Sequence, residues 1–218
     1  MINMSWLKQN FADNSTIFVV GCADLSGEAT QIKNEFKKSK MYAFECSDTW
    51  LTRNIDFSLK SGIHYFHAAV FSENSNKMFI PSVSENGESH PWSGTFYKDI
   101  YTESKKVYGE PYEVRTIRID TFCNTFGIEP DFIFVDAEGS EYEVLNSLGD
   151  VRPKAIWVEI VGFSSYETNK TFDEFNSLMD ILGYNLVYPT DETNPWNSPD
   201  ALYCLKNFEF TEYTHEEI

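Results

Sequence analysis

The stretch Thr16 to Gly21, TIFVVG, is a continuous apolar run rich in β-branched residues and closed by a glycine. Such a run suits a strand buried on both faces, the condition of a strand inside a parallel sheet. It therefore requires helices packed on either side. The residues that follow keep to that plan. A helix is expected over about 27 to 38, where Ala29, Ile32 and Phe36 recur at i, i+3 and i+7. MYAFE at 41 to 45 predicts a second strand, residues 48 to 58 a helix, and IHYFHAAVF at 63 to 71 a third strand. The order β-α-β-α-β is that of a doubly wound α/β sheet.

The middle of the chain departs from this rhythm. NKMFIPSVSENGESHPWSGTFYKDI (76 to 100) is rich in Ser, Asn, Gly and Pro, which predicts a strand followed by a long loop or small lid, an insertion at about 76–111. YEVRTIRI (112 to 119) returns as a strand, with Asp120 placed to cap the short helix TFCNTF. DFIFVD (131 to 136) and KAIWVEIV (154 to 161) are further buried strands, and FDEFNSLMDILG (172 to 183) is an amphipathic helix with a glycine cap. YNLVYP (184 to 189) and ALYCLK (201 to 206) close the chain as a hairpin-like pair. No linker is visible, so residues 1–218 are read as a single α/β domain.

Composition narrows the function classes. With 17 basic and 34 acidic residues the formal charge is −17, a field that repels polyphosphate backbones and anionic membrane surfaces. Neither nucleic acid nor a membrane is expected as a partner. The one basic cluster, Lys33, Lys37, Lys38 and Lys40, reads as a solvated helix face. Cys22, Cys46, Cys123 and Cys204 are scattered and lack metal-ligand spacing, which points to reduced thiols. No window reaches the roughly 20 apolar residues of a membrane helix, and the N-terminal stretch lacks a signal-peptide core. A soluble, cytoplasmic protein is the expectation.

In open parallel sheets ligands sit beyond the carboxyl ends of the strands, which directs attention to VVGCADLSG, FEC, AAV and VDAEG. Gly21 allows a tight turn and close approach to a ligand, and Asp24 offers a carboxylate; the alternative is a plain strand-exit turn. Glu45, 24 residues after Gly21 at the end of the second strand, is placed to accept hydrogen bonds from ribose hydroxyls. Asp136 and Glu138, two apart, leave one side of an extended strand end as general-base or cation-binding groups. Ser140 and Glu143 form an S-x-x-E capping box, and Glu141 suits the positive helix N-terminus. Glu159, an acid within IWVEIV, either meets a partner at the cleft or sits near the strand's end. His90 and Trp92 in the long loop are candidate substrate contacts, the tryptophan by stacking on a sugar face.

The residues FVVGCAD (18 to 24), YAFECSDTWLTRN (42 to 54), HAAVFS (67 to 72), TIRIDTF (116 to 122), PDFIFVDAEGSEYEVL (130 to 145) and WVEI (157 to 160) together resemble the FkbM-type family of S-adenosylmethionine-dependent methyltransferases. The likeness runs from about 16 to 206. It implies a Rossmann-like class I methyltransferase fold, mostly parallel with an antiparallel last strand, and methyl transfer to an oxygen of a sugar, glycan or small natural product. It further implies that Gly21, Cys22, Ala23 and Asp24 hold the methionine part of S-adenosyl-L-methionine and that Glu45, followed by Cys46, holds the ribose. Ala68 and Ala69 would flank the adenine, and Asp136 would lie beside the transferred methyl. Family members commonly carry an acid where Val19 stands, a G-A-N-x-G-like turn where this chain reads GCADLSG, and a proline in place of Cys46.

The expected mechanism is in-line displacement, with Asp136 or Glu138 orienting or removing the hydroxyl proton. A divalent cation bridging these acids is a less favoured variant, because no third ligand is identifiable. Two other classes compete. One is a non-catalytic cofactor-binding or interaction module of the same fold. The other is a nicotinamide-dependent enzyme, which would need the G-x-G-x-x-G turn that is missing here.

Overall fold

The computed structural model describes residues 3–83, 94–97, 107–160, 170–188 and 200–214. Its elements in chain order are α1 (Met4–Asn10), β1 (Thr16–Val20), α2 (Glu28–Glu35), β2 (Lys40–Glu45), α3 (Asp48–Ser61), β3 (Ile63–His67), β4 (Ala69–Val70), β5 (Asn76–Phe79), β6 (Ser82–Val83), β7 (Val107–Tyr108), β8 (Tyr112–Ile117), α4 (Ile119–Phe126), β9 (Phe132–Val135), α5 (Glu141–Asn146), β10 (Ala155–Glu159), α6 (Phe172–Ile181), β11 (Tyr184–Tyr188) and β12 (Asp200–Leu205). The elements alternate as expected for a Rossmann-like α/β fold.

Seven strands form the main sheet in the order β11-β12-β10-β9-β1-β2-β3. β1 pairs in parallel with both β2 and β9, whereas β12 runs antiparallel to β10 and β11. The apolar run that opens the chain shows why β1 sits in the middle. Ile17 and Val19 enter one buried layer with Leu25, Ile32, Phe36, Phe132 and Trp157. Phe18 and Val20 enter the opposite layer with Phe122, Val135, Val144, Ile156 and Phe175. Alternation of period two therefore feeds two cores at once, and each fully buried side chain of this kind contributes roughly 1.5–3 kcal/mol.

Helices α1 and α2 cover the first face, and α4, α5 and α6 the second. The N-terminal helix α1, unanticipated from sequence, is capped by the Asn3 side chain and inserts Trp6 and Leu7 into the core. Helix α6 begins with a reciprocal Thr171–Glu174 capping box, and Gly183 follows its C-cap at φ +90°. The Lys33–Lys40 cluster is solvated, as expected, with Lys37, Lys38 and Lys40 exposed.

Two expectations need correction. The single strand over 63 to 71 is broken at Ala68: β3 ends the main sheet, while β4 leaves it to pair with β8. β8 also pairs antiparallel with β5, so the strand at 112 to 117 belongs to a separate three-stranded sheet, β4-β8-β5. Asp120 does not cap α4, whose N-cap is Arg118 without a side-chain cap bond. Asp120 instead takes the Arg118 guanidinium at 2.6 Å, and the Arg118 hydrogen bond and charge hold its carboxyl below the usual carboxylate range.

Candidate active site

The strand order reverses between β1 and β9, and at that point the residue after each strand is a candidate for binding. Gly21 follows β1 at φ +75°, and a Cβ built there would lie 1.5 Å from the carbonyl oxygen of Asp136. The glycine is thus demanded by the neighbouring chain as well as by the turn. Its N–H and that of Cys22 both donate to the Phe44 carbonyl, at 3.0 and 3.2 Å, while the Asp136 N–H donates to Val20 O at 2.9 Å. These bonds bring the ends of β1, β2 and β9 to one place.

A cavity of about 370 Å³ opens there, within the size range of small-molecule sites. It is lined by every proposed cofactor residue, Gly21, Cys22, Ala23, Asp24, Glu45, Cys46, Ala68 and Ala69, and by both proposed catalytic acids, Asp136 and Glu138. Phe79, Gly94 and Phe96 from the β5 region close it from above. His90 and Trp92 lie outside the described residues.

The loop after β1 is held by its surroundings. Ala23 sits at φ +41°, a conformation unfavourable for a residue with a Cβ. Its N–H donates to Glu45 Oε2 at 2.9 Å, and its carbonyl accepts from Asn54 Nδ2 at 2.7 Å. Asn54, fully buried on α3, also accepts the Leu25 N–H at 3.0 Å. Sequence reasoning passed over Asn54; the signal was a polar residue one turn after Trp50 on the buried helix face. Asp24 is engaged internally as well, by the Ser26 N–H at 3.0 Å and the Arg53 guanidinium at 2.7 Å.

Glu45 accepts one backbone N–H on each oxygen, from Ala23 and from Ser47 at 2.7 Å. Burial pushes its pKa up and these bonds oppose the rise. A carboxylate has about four lone-pair positions, so acceptor capacity remains on both oxygens. The Cys22 and Cys46 thiols are pushed well up by burial and by the Glu45 charge, and all four cysteines are free.

The acids after β9 do not leave a straight strand. β9 ends at Val135, and Glu138 and Gly139 adopt φ +47° and +97°, so Asp136, Ala137 and Glu138 reach the cavity around a turn and not by alternation. The turn is built by Glu141, which is 3% exposed and whose Oε1 accepts the N–H groups of Ala137 at 3.1 Å and Gly139 at 2.9 Å. Burial pushes the Glu141 carboxyl up to about 8. Glu141 is therefore a turn-organising residue rather than a surface group favouring the helix dipole. The expected Ser140–Glu143 capping box is also absent: Ser140 makes no side-chain cap bond. Its Oγ, buried on the cavity wall, has no partner among the described residues.

Glu159 is the last residue of β10, and Val135 and Val158 are in register on adjacent parallel strands, which brings the Asp136 and Glu159 carboxyl groups within each other's influence. Burial first, then the Glu159, Glu138 and Glu141 charges, push the Asp136 carboxyl up. Its Oδ1 is buried without a partner among the described residues. Thr95, missed in the sequence, ties the covering segment to this turn by donating from Oγ1 to Glu138 O at 2.8 Å. Phe96 packs on Phe71 and Phe79 in a small satellite core while also facing the cavity.

Among the described residues the lining contains five carboxyl groups, of Asp24, Glu28, Glu45, Asp136 and Glu138, and no lysine, arginine or histidine. Among the described residues no group of three or more His, Cys, Asp or Glu side chains is arranged to hold a metal ion, and no helix is long and apolar enough to cross a membrane.

The chain is similar in structure to the methyltransferase FkbM from Methylobacillus flagellatus KT, with TM-score 0.51 and 15% identity over 89% of this chain and 44% of that one. It therefore spans less than half the length of that protein. Lower similarity is found to a precorrin-6y C5,15-methyltransferase from Geobacter metallireducens GS-15 (TM-score 0.43, 13% identity, 84% and 70% of the two chains). A putative rRNA methylase from Clostridium thermocellum has TM-score 0.47 and 12% identity, over 92% of each chain. No curated protein matches the sequence. The methyltransferase FkbM domain profile matches residues 28–186, from the start of α2 into β11. That range is well over half of the chain, which belongs to the methyltransferase FkbM domain family.

Proposed function

We propose that the chain is an S-adenosylmethionine-dependent O-methyltransferase acting on a hydroxyl of a sugar, glycan or small natural product, with the whole of residues 1–218 forming one domain and an insertion at about 76–111 covering the site. The observation that carries this reading is the cavity at the strand-order reversal, lined among the described residues by five carboxyl groups and no cationic side chain. The residues present fit the cofactor. Glu45 retains acceptor capacity for ribose hydroxyls, Ala68 and Ala69 provide a small apolar wall, and the acidic lining suits a ligand carrying positive charge. When bound, S-adenosylmethionine supplies a methyl group activated by a sulfonium centre.

The chain's residues do the rest by orientation and proton transfer. Asp136 Oδ1, buried and without a hydrogen-bond partner among the described residues, would accept the proton of the acceptor hydroxyl, the bound cofactor supplying the methyl group and leaving as its thioether. Ser140 Oγ on the same wall contributes a second hydrogen bond to the acceptor. Glu138 helps shape the rim, its backbone carbonyl held by Thr95. The acidic groups that line the cavity among the described residues favour an acceptor without phosphate or carboxylate, and the chain's net charge of −17 argues against nucleic acid.

Calorimetric titration with S-adenosylmethionine tests the first step, with binding expected and its absence at high protein concentration refuting the reading. On a panel of hydroxyl acceptors, Asp136→Asn is expected to lower turnover by about 10²-fold or more while the protein stays folded by circular dichroism. Unchanged turnover would remove Asp136 from the proton-accepting role.

A further inference from the structure

Asp136 and Glu159 stand side by side because β9 and β10 are adjacent, parallel and in register up to Val135 and Val158. Glu159 acts on the Asp136 carboxyl through its charge and through hydrogen bonding, both of which raise it. Ionised carboxylates are acceptors only, so the two groups can bond to each other only by sharing a proton. The remaining Asp136 oxygen, Oδ1, is buried without a partner among the described residues, and Asp136 lines the acid-rich cavity.

Among the described residues, the charged groups that act on Asp136 are acidic: Glu159, and Glu138 and Glu141 from the turn and from α5. Glu159 is in register with Asp200 on β12, and Glu28, at the start of α2, lies within the influence of both Glu159 and Asp200. Among the described residues no lysine, arginine or histidine lines the cavity.

We propose that Asp136 and Glu159 form an acid–carboxylate pair sharing one proton, and that this pair selects the positively charged sulfonium cofactor over its neutral thioether product by giving up that proton when the sulfonium binds. The inference rests on the methyltransferase reading and deepens it: Glu159 becomes a specificity-determining and positioning residue that acts through Asp136. Burial and the surrounding negative charges hold the proton on the pair in the free protein. A cation entering the cavity offsets those charges and lets the proton leave to solvent. The pair is then fully ionised, and Asp136 is ready to accept the hydroxyl proton. The thioether product carries no sulfur charge and leaves the proton in place. Transfer of the methyl group thus removes the charge that held the pair ionised, which favours exchange of product for fresh cofactor.

The sign of the pH dependence follows. A ligand whose binding expels a proton binds more tightly as pH rises, by up to about tenfold per unit, over the range in which the free pair still holds that proton. The thioether shows no such slope from this pair.

Calorimetric titrations with S-adenosylmethionine and S-adenosylhomocysteine, each in buffers of low and high ionisation enthalpy near neutral pH, count the protons released. The sulfonium compound is expected to release more, with a difference of up to about one proton per site. The ratio of the two Kd values should grow with pH in its favour. In Glu159→Gln the proton-count difference should collapse and the ratio should become flat with pH. Asp136→Asn, which dissolves the pair from the other side, should do the same. Ionisation of the ligands' own amino groups is common to wild type and variants and cancels in that comparison.

Equal proton counts for both compounds in the wild type would overturn the proposal, as would a difference that survives both substitutions. Failure of S-adenosylmethionine to bind is a different result: it would overturn the methyltransferase reading itself, and this inference with it.

Discussion

Ser140 Oγ lies at the first turn of α5, where a serine three residues before a glutamate ordinarily caps a helix. Here its residue is 1% exposed and the hydroxyl makes no protein hydrogen bond among the described residues. An unmet buried hydroxyl costs about 1–3 kcal/mol, so Ser140→Ala is expected to raise stability by about 1 kcal/mol. Urea unfolding would show this as a higher midpoint at unchanged slope. A loss of about 1 kcal/mol, the usual effect of deleting a cap, would mean that the hydroxyl is bonded within the fold. The reason it does not cap is visible one residue earlier. The positive φ angles at Glu138 and Gly139 swing Ser140 to φ −107° and ψ 12°, away from the extended conformation of a capping residue.

The turn over residues 136–140 is an element in its own right, organised by a buried carboxyl. Glu141 Oε1 accepts two backbone N–H groups, yet burial still pushes the group up to about 8 from an ordinary value of 4.5. A carboxyl raised in the fold contributes stability that is complete below its unfolded pKa and is lost as pH rises toward the folded one. Glu141→Gln keeps an acceptor oxygen for Ala137 and Gly139 but cannot ionise. Between pH 4.5 and about 8 the variant should therefore gain on the wild type, by at most about 1.4 kcal/mol per pH unit. Parallel unfolding curves across that range would show that Glu141 ionises in the fold as freely as in the unfolded chain. The turn is also pinned from above by Thr95, so the covering segment and the acids it shelters are positioned together.

At the scale of the whole molecule, the formal charge of −17 leaves acidic side chains in twofold excess over basic ones. The ion pairs include Lys8–Glu35 and Lys206–Asp180, both largely exposed, and such pairs contribute little. Self-repulsion should dominate the salt response. Raising ionic strength from about 0.01 M to about 0.15 M shortens the screening length from about 30 Å to about 8 Å, and Tm is expected to rise by a few degrees. A fall in Tm over the same interval would show that attractive pairs outweigh the repulsion.

The main sheet was legible in the sequence because buried parallel strands need continuous apolar runs: TIFVVG, MYAFE, DFIFVD and KAIWVEIV all became strands within a residue or two of their expected ends. Gly21, Glu45 and Asp136 followed, since strand ends at a reversal of order are where ligands gather. What tertiary structure decided was partnership. IHYFHAAVF reads as one strand, but its second half turns away at Ala68 because β8 offers another edge, and pairing between distant segments leaves no local mark. Likewise Glu159 announced only a partner at the cleft or a strand end; the register of β10 against β9 brought Asp136 to it. Periodicity and composition are local properties, so the sequence determined the elements and their buried faces. Which acids meet at the strand ends depends on strands more than 20 residues apart meeting in one register, and only the folded chain settles that.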